Sequence, residues 1–276
     1  MDYCKKFIVK EDDKLDLSKI NPNEKGDYKG KKEAKAKMKE NIKKLTELQY
    51  KLYSENKQSI LVVLQALDAA GKDGTINHVF APLNPQGCRV HGFKAPTQIE
   101  LAHDFLWRIH KETPGKGEIV IFNRSHYEDV LITRVHKLIS QKECEMRYKY
   151  INDFEKLLTD NNTKIIKIYL HISKEEQLKR FKKRLDTPKK HWKISDGDYK
   201  ERQLWNDYTG AFENAINACS QKDAPWYVIP ANHKWYRNLV VSEIMVETME
   251  NMKLKLPEPT VDINEIRKLA EREESK

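Results

Sequence analysis

Residues 61–74 carry the clearest chemistry in the chain. An apolar run rich in branched side chains ends in small residues, a Gly71–Lys72 pair and Gly74. Such a run is typical of a buried parallel strand that leads into a phosphate-binding loop, where backbone N–H groups and a helix N-terminus face an anion. The ammonium group of Lys72 can then reach a phosphate. The segment predicts phosphoryl-group chemistry, and a plain strand-to-helix turn is the alternative.

The loop departs from the usual G-x-x-x-x-G-K-[ST] pattern in two places. Ala66 replaces the first glycine, and Asp73 replaces the hydroxyl residue that normally binds magnesium. The carboxylates of Asp68 and Asp73 lie in or beside the loop, where they would repel a bare phosphate chain. A hard divalent cation between carboxylates and phosphates removes this repulsion. We therefore expect Mg²⁺ as the cofactor, with Mn²⁺ as a substitute.

A second polar segment follows the third predicted strand. Asn123 stands where phosphate-loop enzymes commonly place an acidic metal ligand, and Arg124 offers a fork of donors to phosphate oxygens. Glu128 and Asp129 are the nearest carboxylates. His126 could be a metal ligand or a phosphorylated nucleophile, but a lone histidine more often makes an ordinary hydrogen bond. For the whole segment, the alternative is a capped helix start with a surface ion pair.

Further charged residues are expected around the same edge of the sheet. Lys94 follows the second predicted strand, and Asp104 and Arg108 lie on the helix that comes next. The carboxyl ends of parallel strands meet at one edge, so these side chains would face the same crevice as the loop. For Lys94, a solvated loop position is the alternative.

The segment 179–193 is the most basic in the chain. Arg180 and Arg184 are four residues apart, so they share one helix face and could hold one long anion. We expect a mobile lid that excludes water and brings cations to a transferring phosphoryl group, and a solvated basic helix is the alternative. Trp192 favours a lid, because an isolated aromatic side chain there needs something to cover. The candidate binding residues are Arg180, Lys183, Arg184, Lys190, Trp192 and Lys193.

Composition limits the class of protein. At 276 residues the chain is long enough for one large α/β domain, and no repeat or low-complexity linker divides it. No apolar run approaches the roughly 20 residues that span a bilayer, and the first residues lack the apolar region of a secretory signal. The four cysteines are far apart, which indicates reduced thiols in a cytoplasmic protein. The net charge of +9 favours an anionic partner, whether nucleic acid, acidic membrane or a polyanionic small molecule.

Apolar patterns predict five strands that alternate with helices. This alternation predicts an α/β fold with a parallel sheet of about five strands that is covered by helices on both faces. The strands are 59–66, 88–93, 118–123, 164–172 and 226–230. The helices are 31–56, one that begins near 74, one that begins at Pro96 and carries Ile109, 127–139, 143–159, 173–185, one that begins near 196, and 234–254.

Five motifs together resemble the second polyphosphate kinase family over about residues 50–255. Within it the chain is similar to the class III branch, since other classes have Asp at the position of Asn123 and Asn at that of Glu128. Ala66 departs from a glycine that is common in the family. The motifs are DAAGKDG at 68–74, FKAP at 93–96, FNRSHYE at 122–128, DTPKKHWK at 186–193 and APWYVIPA at 224–231.

The resemblance implies a P-loop kinase-like, three-layer α/β/α fold with a helical lid. It also implies homo-oligomers, either dimers or tetramers, and Mg²⁺-dependent phosphoryl transfer between inorganic polyphosphate and AMP, ADP and ATP. Neither a membrane nor a nucleic acid is then expected as a partner. The alternatives are an ATP-dependent nucleoside monophosphate kinase and, less favoured, a non-catalytic protein that binds nucleic acid or another polyanion. Residues 1–56 would form an arm and a helix, 57–256 the phosphotransferase domain with its lid at about 180–200, and 257–276 a charged tail.

The resemblance also implies roles for the central residues. A nucleotide phosphate has a second pKa of about 6, so it is largely ionised near neutral pH and needs no general base. Lys72 and Arg124 would neutralise charge. Asp68 would be the leading metal ligand, with Asn123 beside it. Glu128 would act on the metal or position the acceptor.

The remaining candidates would bind substrates. Arg180 and Arg184 would neutralise charge from the lid, and spacing leaves open which cations contact the donor and which the acceptor. The loop would contribute Ala69, Ala70, Gly71, Asp73 and Gly74, the nucleotide side Lys94, Asp104 and Arg108, and the lid Lys183, Lys190, Trp192 and Lys193.

Overall fold

Six strands form one sheet within residues 2–275, the part of the chain that this computed structural model describes. The strands are β1 (Ile8–Val9), β2 (Ser59–Gln65), β3 (Cys88–Gly92), β4 (Ile119–Asn123), β5 (Thr163–His171) and β6 (Trp226–Pro230). Their order is β1-β6-β5-β2-β4-β3, and every neighbouring pair is parallel except β1 with β6. The predicted parallel α/β sheet is confirmed, with one strand more than expected.

The central strand β2 is buried at all seven positions. It pairs with β4 on one side and β5 on the other, and helices cover its faces, which explains its unbroken apolar run. In the register, Asn123 pairs with Leu64 of β2 and with Gly92 of β3. The carboxyl ends of β2, β3 and β4 are therefore level, and the residues that follow them share one edge of the sheet.

Helices form layers beside the sheet, as the three-layer α/β/α prediction requires. The helices α2 and α11 pack together, as do α6, α7 and α10, while α7 contacts β5 and α11 contacts β6. The helices are α1 (Tyr3–Phe7), α2 (Lys31–Glu55), α3 (Lys72–Thr75), α4 (Gln98–Leu101), α5 (Trp107–His110), α6 (Glu128–Val135), α7 (Gln141–Asp160), α8 (Lys174–Leu185), α9 (Asp196–Gln203), α10 (Trp205–Cys219), α11 (Lys234–Asn251) and α12 (Ile263–Glu274).

The predicted N-terminal arm contains the helix α1 and the strand β1. Tyr3 and Phe7 of α1 are buried, and their ring centroids lie 6.4 and 6.5 Å from that of Tyr236. Burial of these aromatic rings brings the arm against the sheet edge, where Ile8 pairs with Tyr227 in antiparallel register. This pairing supplies the sixth strand.

The helix expected from Pro96 through Ile109 is instead two short helices, α4 and α5. Between them, the side-chain oxygen Oδ1 of Asp104 accepts a hydrogen bond of 2.9 Å from the backbone N–H of Leu106. Aspartate side chains that bond to nearby backbone groups compete with helix formation in this way. The apolar spacing alone did not reveal the break.

The predicted charged tail contains α12, which has no buried residue. Between residues 2 and 275, no helix combines the length and apolar character that crossing a bilayer requires.

Candidate active site

The phosphate loop, residues 66–71, connects β2 to α3, and its carbonyl oxygens are held from the protein side. Arg180 donates from Nη1 to the carbonyl oxygens of Ala69 and Ala70, at 2.9 and 2.8 Å. Arg237 donates to the same oxygen of Ala70 at 2.8 Å, and Nε2 of Gln177 donates to the carbonyl oxygen of Asp68 at 3.0 Å. The N–H group of Ala70 donates to the carbonyl oxygen of Leu67 at 3.2 Å. With the carbonyls facing the protein, the other amide groups of the loop can face the opposite side, where an anion would lie.

The loop backbone adopts left-handed conformations that suit this arrangement. Ala69 has φ of 60° and Gly71 has φ of 113°. A Cβ atom on Gly71 would lie 1.8 Å from Nη1 of Arg237, so only glycine fits there. At Ala69 the left-handed conformation costs roughly 1–2 kcal/mol, and the bonds from Arg180 offset this cost.

Lys72 begins α3 directly after the loop. Its ammonium group donates to the carbonyl oxygen of Ala66 at 2.8 Å. Burial lowers the pKa of Lys72, the nearby charge of Asp68 opposes this effect, and Arg124 adds to it. The ammonium group is thus close to both the carboxylate and the guanidinium that the sequence predicted to act with it.

Arg124 and Asp68 join the ends of β4 and β2. Nη2 of Arg124 lies 3.5 Å from Oδ1 of Asp68, and both side chains are partly exposed, at 44% and 36%. The backbone N–H of Arg124 donates to the carbonyl oxygen of Leu64 at 3.2 Å. Arg124 also has φ of 65°, a left-handed conformation held by its surroundings.

Asp73 links the loop to both β4 and the lid, which consists of α8, the 3-10 turn Pro188–Lys193 and α9. Its Oδ2 accepts from Nζ of Lys193 at 2.9 Å, and its Oδ1 accepts from Nδ2 of Asn123 at 3.2 Å. Burial tends to raise the pKa of Asp73, but the bonds from Lys193 and Asn123 outweigh it and lower the pKa. The lid therefore contacts α3 directly after the loop.

Glu128 is the first residue of α6 and faces the same group of charges. With the Gln65 amide oriented so that Nε2 faces Glu128, it donates to Oε1 at 3.0 Å while its oxygen accepts from Ser125. Burial raises the pKa of Glu128, and the charges of Arg124 and Lys72 offset part of this rise.

A large cleft of about 1660 Å³ opens beside the loop. Arg124 and Glu128 line it together with the three residues predicted for nucleotide placement, Lys94, Asp104 and Arg108. Arg124 therefore contacts the loop through Asp68 and also borders the cleft. The volume is ample for a nucleotide, since ligand pockets typically measure about 300–1,000 Å³.

Arg108 supports the cleft wall. Its Nη1 donates to the carbonyl oxygen of Lys94 at 2.8 Å, and its Nη2 lies 3.6 Å from Oδ2 of Asp129. Burial raises the pKa of Asp129, with Arg108 and Arg147 opposing this effect. Arg147 was missed from the sequence, because its position on α7 carries no motif.

Both lid arginines donate to groups within the protein. All five N–H donors of a guanidinium group are used in Arg180, by Glu176 and by the carbonyl oxygens of Ala69, Ala70, Ala231 and Asn232. The expected grip of Arg180 on a long anion therefore has no free N–H group to support it. Arg184 donates to the carbonyl oxygen of Lys193 at 2.8 Å, which shapes the lid.

Three other predicted lid residues are exposed to solvent. Lys183 and Lys190 are exposed, and Trp192 is 78% exposed. Lys234, which was missed from the sequence, lies in the same neighbourhood: burial lowers its pKa, and the charges of Arg180, Arg237, Lys183 and Lys190 lower it further. No sequence signal marked Lys234 or Arg237, since both follow the last motif.

The oxygen donors fit a hard divalent cation. Within residues 2–275 no three His, Cys, Asp or Glu side chains gather as a metal site. Asp68, Asp73 and Asn123 nevertheless provide oxygen atoms at the loop edge, where Asn123 contacts Asp73. Mg²⁺ usually takes one or two carboxylates and completes its shell with phosphate oxygens and water, so this donor set suits Mg²⁺ only together with phosphate.

Comparisons of the sequence and of the structure with known proteins point to the same family. A sequence model of the family described as Polyphosphate kinase 2 (PPK2) matches residues 28–257. The AMP/ADP-polyphosphate phosphotransferase of Meiothermus ruber is 49% identical over 92% of this chain and 96% of its own length. The ADP-polyphosphate phosphotransferase of Rhodopseudomonas palustris is 44% identical over 93% of each chain. The crystal structure of polyphosphate kinase 2 from Arthrobacter aurescens TC1, 41% identical, has a TM-score of 0.95 and covers 99% of this chain and 97% of that chain.

Proposed function

The chain belongs to the polyphosphate kinase 2 family, and on this premise we propose that it transfers phosphoryl groups from inorganic polyphosphate to AMP and ADP. The products are ADP and ATP, and the reaction is reversible. The observation that carries the proposal is the contact between Arg124 and Asp68. It joins a phosphate loop to a nucleotide-sized cleft, as a transfer between two phosphate-bearing substrates requires.

The chemistry is mainly electrostatic. Both substrates are polyanions, so the protein must hold them in line and cancel their repulsion. Lys72 and the loop amides bind the donor phosphates, and Arg124 neutralises charge between donor and acceptor. The acceptor phosphate has a second pKa of about 6 and is largely ionised at neutral pH. Glu128 therefore acts by positioning rather than as a general base.

Mg²⁺ is the proposed cofactor, held by Asp68 with Asn123 beside it, and Mn²⁺ can substitute. When bound, the ion would supply positive charge that offsets the negative charge of the phosphate groups. The protein contributes the carboxylate of Asp68, and Asp73 accepts a hydrogen bond from Lys193 of the lid.

The decisive experiment compares phosphoryl donors. The protein is incubated with AMP and Mg²⁺ and with either polyphosphate or ATP as donor, and nucleotides are separated by chromatography. We expect ADP and then ATP from polyphosphate. Product from ATP alone would instead support an ATP-dependent nucleoside monophosphate kinase. Salt-sensitive binding of DNA or RNA without any transfer would support the non-catalytic alternative.

Class III specificity, which includes AMP as an acceptor, is proposed from Asn123 and Glu128. Replacing Glu128 by Asn should lower the rate with AMP more than the rate with ADP, because the carboxylate positions the shorter acceptor. Steady-state kinetics with both acceptors measures the ratio. Equal losses of rate with AMP and with ADP would show that Glu128 does not select the acceptor.

We propose the cellular location, the assembly and the domain organisation on separate grounds. All four cysteines are free thiols, which suits a cytoplasmic location. A homo-oligomer is expected from the family resemblance. The segments 1–56, 57–256 and 257–276 are proposed as arm with helix, catalytic domain and tail.

A further inference from the structure

A buried cluster of charged and polar side chains lies behind the motif that carries Arg124 and Glu128. Its members are His126, Tyr127, Glu155 and Lys167, which we call the buried tetrad. Each has a relative exposure of 1% or less. They come from the β4–α6 connection, α7 and β5, so the cluster exists only in the folded chain.

Lys167 and Glu155 form the centre of the buried tetrad. The ammonium group of Lys167 donates to Oε2 of Glu155, to the carbonyl oxygen of Cys219 and, at 3.1 Å, to the hydroxyl of Tyr127. These bonds use all three of its protons. The hydroxyl of Tyr127 in turn donates to Oε1 of Glu155 at 2.9 Å. The pair is therefore closed by hydrogen bonds on every side.

His126 completes the cluster from the β4–α6 connection. Burial raises the pKa of Glu155, but the charge of Lys167 and the hydrogen bond to His126 outweigh it and lower the pKa, so the carboxyl group is ionised. An ionised carboxylate only accepts, so Nε2 of His126, 3.2 Å from Oε1, carries the proton. Nδ1 is buried without a partner, as an unprotonated nitrogen can be at lower cost than an N–H. This arrangement leaves no exposed nitrogen for metal binding or phosphorylation.

We propose that Glu155 is a positioning residue that fixes the segment 124–128 through its bonds to His126 and Tyr127. These two residues lie between Arg124 and Glu128 in the chain, and both of the latter face the cleft. Arg124 has φ of 65°, which a freely relaxing backbone would leave. The inference rests on the proposed function, since it explains how the catalytic segment keeps its geometry.

Stability alone is a weak reason to keep the buried tetrad. A buried ion pair pays desolvation on both charges, and replacing both partners by well-packed neutral side chains is often neutral or stabilising. Positioning of Arg124 and Glu128 is a stronger reason to keep the buried tetrad, because a shift of about 1 Å at a reacting group can lower a rate about 100-fold. The positioning role therefore makes a prediction that a purely structural role does not.

The main test removes both charges and the acceptor oxygens of residue 155 together, in the full-length variant Glu155→Leu/Lys167→Met. No buried charge is left unpaired, so we expect a melting temperature within a few degrees of the unaltered protein. The turnover number with polyphosphate and AMP should fall about 10- to 100-fold. The KM for polyphosphate should change less than about threefold, because the loop is held separately by Arg180 and Arg237.

A second, milder test uses Tyr127→Phe, which removes one hydroxyl and keeps the ring. Its matched control is Thr163→Val, which removes a buried hydroxyl bonded at 2.9 Å to Ser59 at the opposite, amino ends of β5 and β2. Hydrogen exchange of peptides that contain residues 124–128 should accelerate in Tyr127→Phe and not in Thr163→Val. This measurement needs no substrate.

Conservative replacement separates positioning from direct chemistry at His126. His126→Gln keeps an N–H donor near the position of Nε2, whereas His126→Leu keeps side-chain volume but has no donor. The Gln variant should therefore retain far more activity than the Leu variant. Equal activity of the two variants, or a stable Glu155→Leu/Lys167→Met protein with unaltered turnover and exchange, would overturn the inference. Absence of transfer by the unaltered protein would instead refute the proposed function, and the exchange measurement would still decide the role of Glu155.

Discussion

At the scale of single residues, three of the cations expected to bind phosphate have an oxygen partner within the protein. Arg124 lies near Asp68, Lys193 bonds Asp73, and Lys72 bonds a backbone carbonyl. The two ion pairs are partly exposed, with Asp73 67% exposed, and such pairs contribute only about 0–1 kcal/mol. Phosphate can therefore replace these partners at small cost, which leaves the carboxylates available to a metal ion.

Removal of a central charge should abolish most of the activity. We expect Lys72→Ala and Asp68→Ala each to lower the turnover number about 100-fold or more, since loss of one preorganised group costs about that much. Lys57→Ala, an exposed lysine before the amino end of β2, is the control and should keep its rate. Steady-state assays with polyphosphate and AMP measure all three. Near-normal rates in either site variant would mean that the site lies elsewhere.

Glu128 should reduce stability at neutral pH. Burial raises its pKa, and a carboxyl group with a raised folded pKa favours the folded state at low pH and loses this contribution as pH rises through that pKa. Glu128→Gln should therefore have a higher melting temperature at pH 7, and the difference should vanish below about pH 4, where an unfolded glutamate is also protonated. Thermal denaturation from pH 4 to 8 measures this, with exposed Glu47→Gln as control. A lower melting temperature at pH 7 would contradict the argument.

At the scale of elements, the phosphate loop depends on contacts from distant parts of the chain. Arg180 of α8 and Arg237 of α11 hold its carbonyl oxygens. Lys193 ties the lid to α3 through Asp73. These contacts connect the loop, the lid and the start of α11, so a structural change in one of them should alter the others.

Gly71→Ala should disrupt these contacts. The Cβ of an alanine at residue 71 would lie 1.8 Å from Nη1 of Arg237, and the backbone there has φ of 113°. Either the loop or the buried guanidinium group would therefore have to move. We expect a melting temperature lower by several degrees and a loss of activity of about 100-fold. Gly210→Ala is the matched control, because no atom lies within 4 Å of the added Cβ in α10. Alanine there should be neutral or stabilising, by up to about 1 kcal/mol. A stable, active Gly71→Ala protein would refute the role of the loop conformation.

At the scale of the whole molecule, a face of α7 that borders the wide cleft carries exposed apolar side chains. On α7, Met146, Tyr150 and Leu157 are 41%, 49% and 49% exposed, and Leu138 nearby is 71% exposed. Exposed apolar patches of this kind commonly mark protein interfaces. This face is the proposed contact of the homo-oligomer.

Tyr150→Glu should weaken that assembly, because it would place a charge in an apolar interface. We expect a lower molar mass by size-exclusion chromatography with light scattering. Tyr50→Glu, at a 64% exposed position on α2, is the control and should leave the mass unchanged. An unaltered mass for Tyr150→Glu would exclude this face, and a monomeric unaltered protein would refute the homo-oligomer.

Sequence patterns by themselves determined the parallel α/β sheet, its five main strands and the family. Strand periodicity and the Gly71–Lys72 loop are local properties, and the five motifs are contiguous, so they can be read along the chain. The candidates Lys72, Asp68, Arg124 and Glu128 were also found there, because they directly follow strands whose carboxyl ends meet.

The tertiary structure alone decided what surrounds these residues. Arg180 reads as a phosphate ligand by spacing, yet its five donors all bond within the chain to Glu176 and backbone carbonyls. Arg237 and Glu155 carry no local signal, and they meet the loop and the catalytic segment only because the chain folds. The physical reason is that hydrogen-bond partners and burial depend on contacts between residues far apart in sequence, which periodicity and motif spacing do not encode.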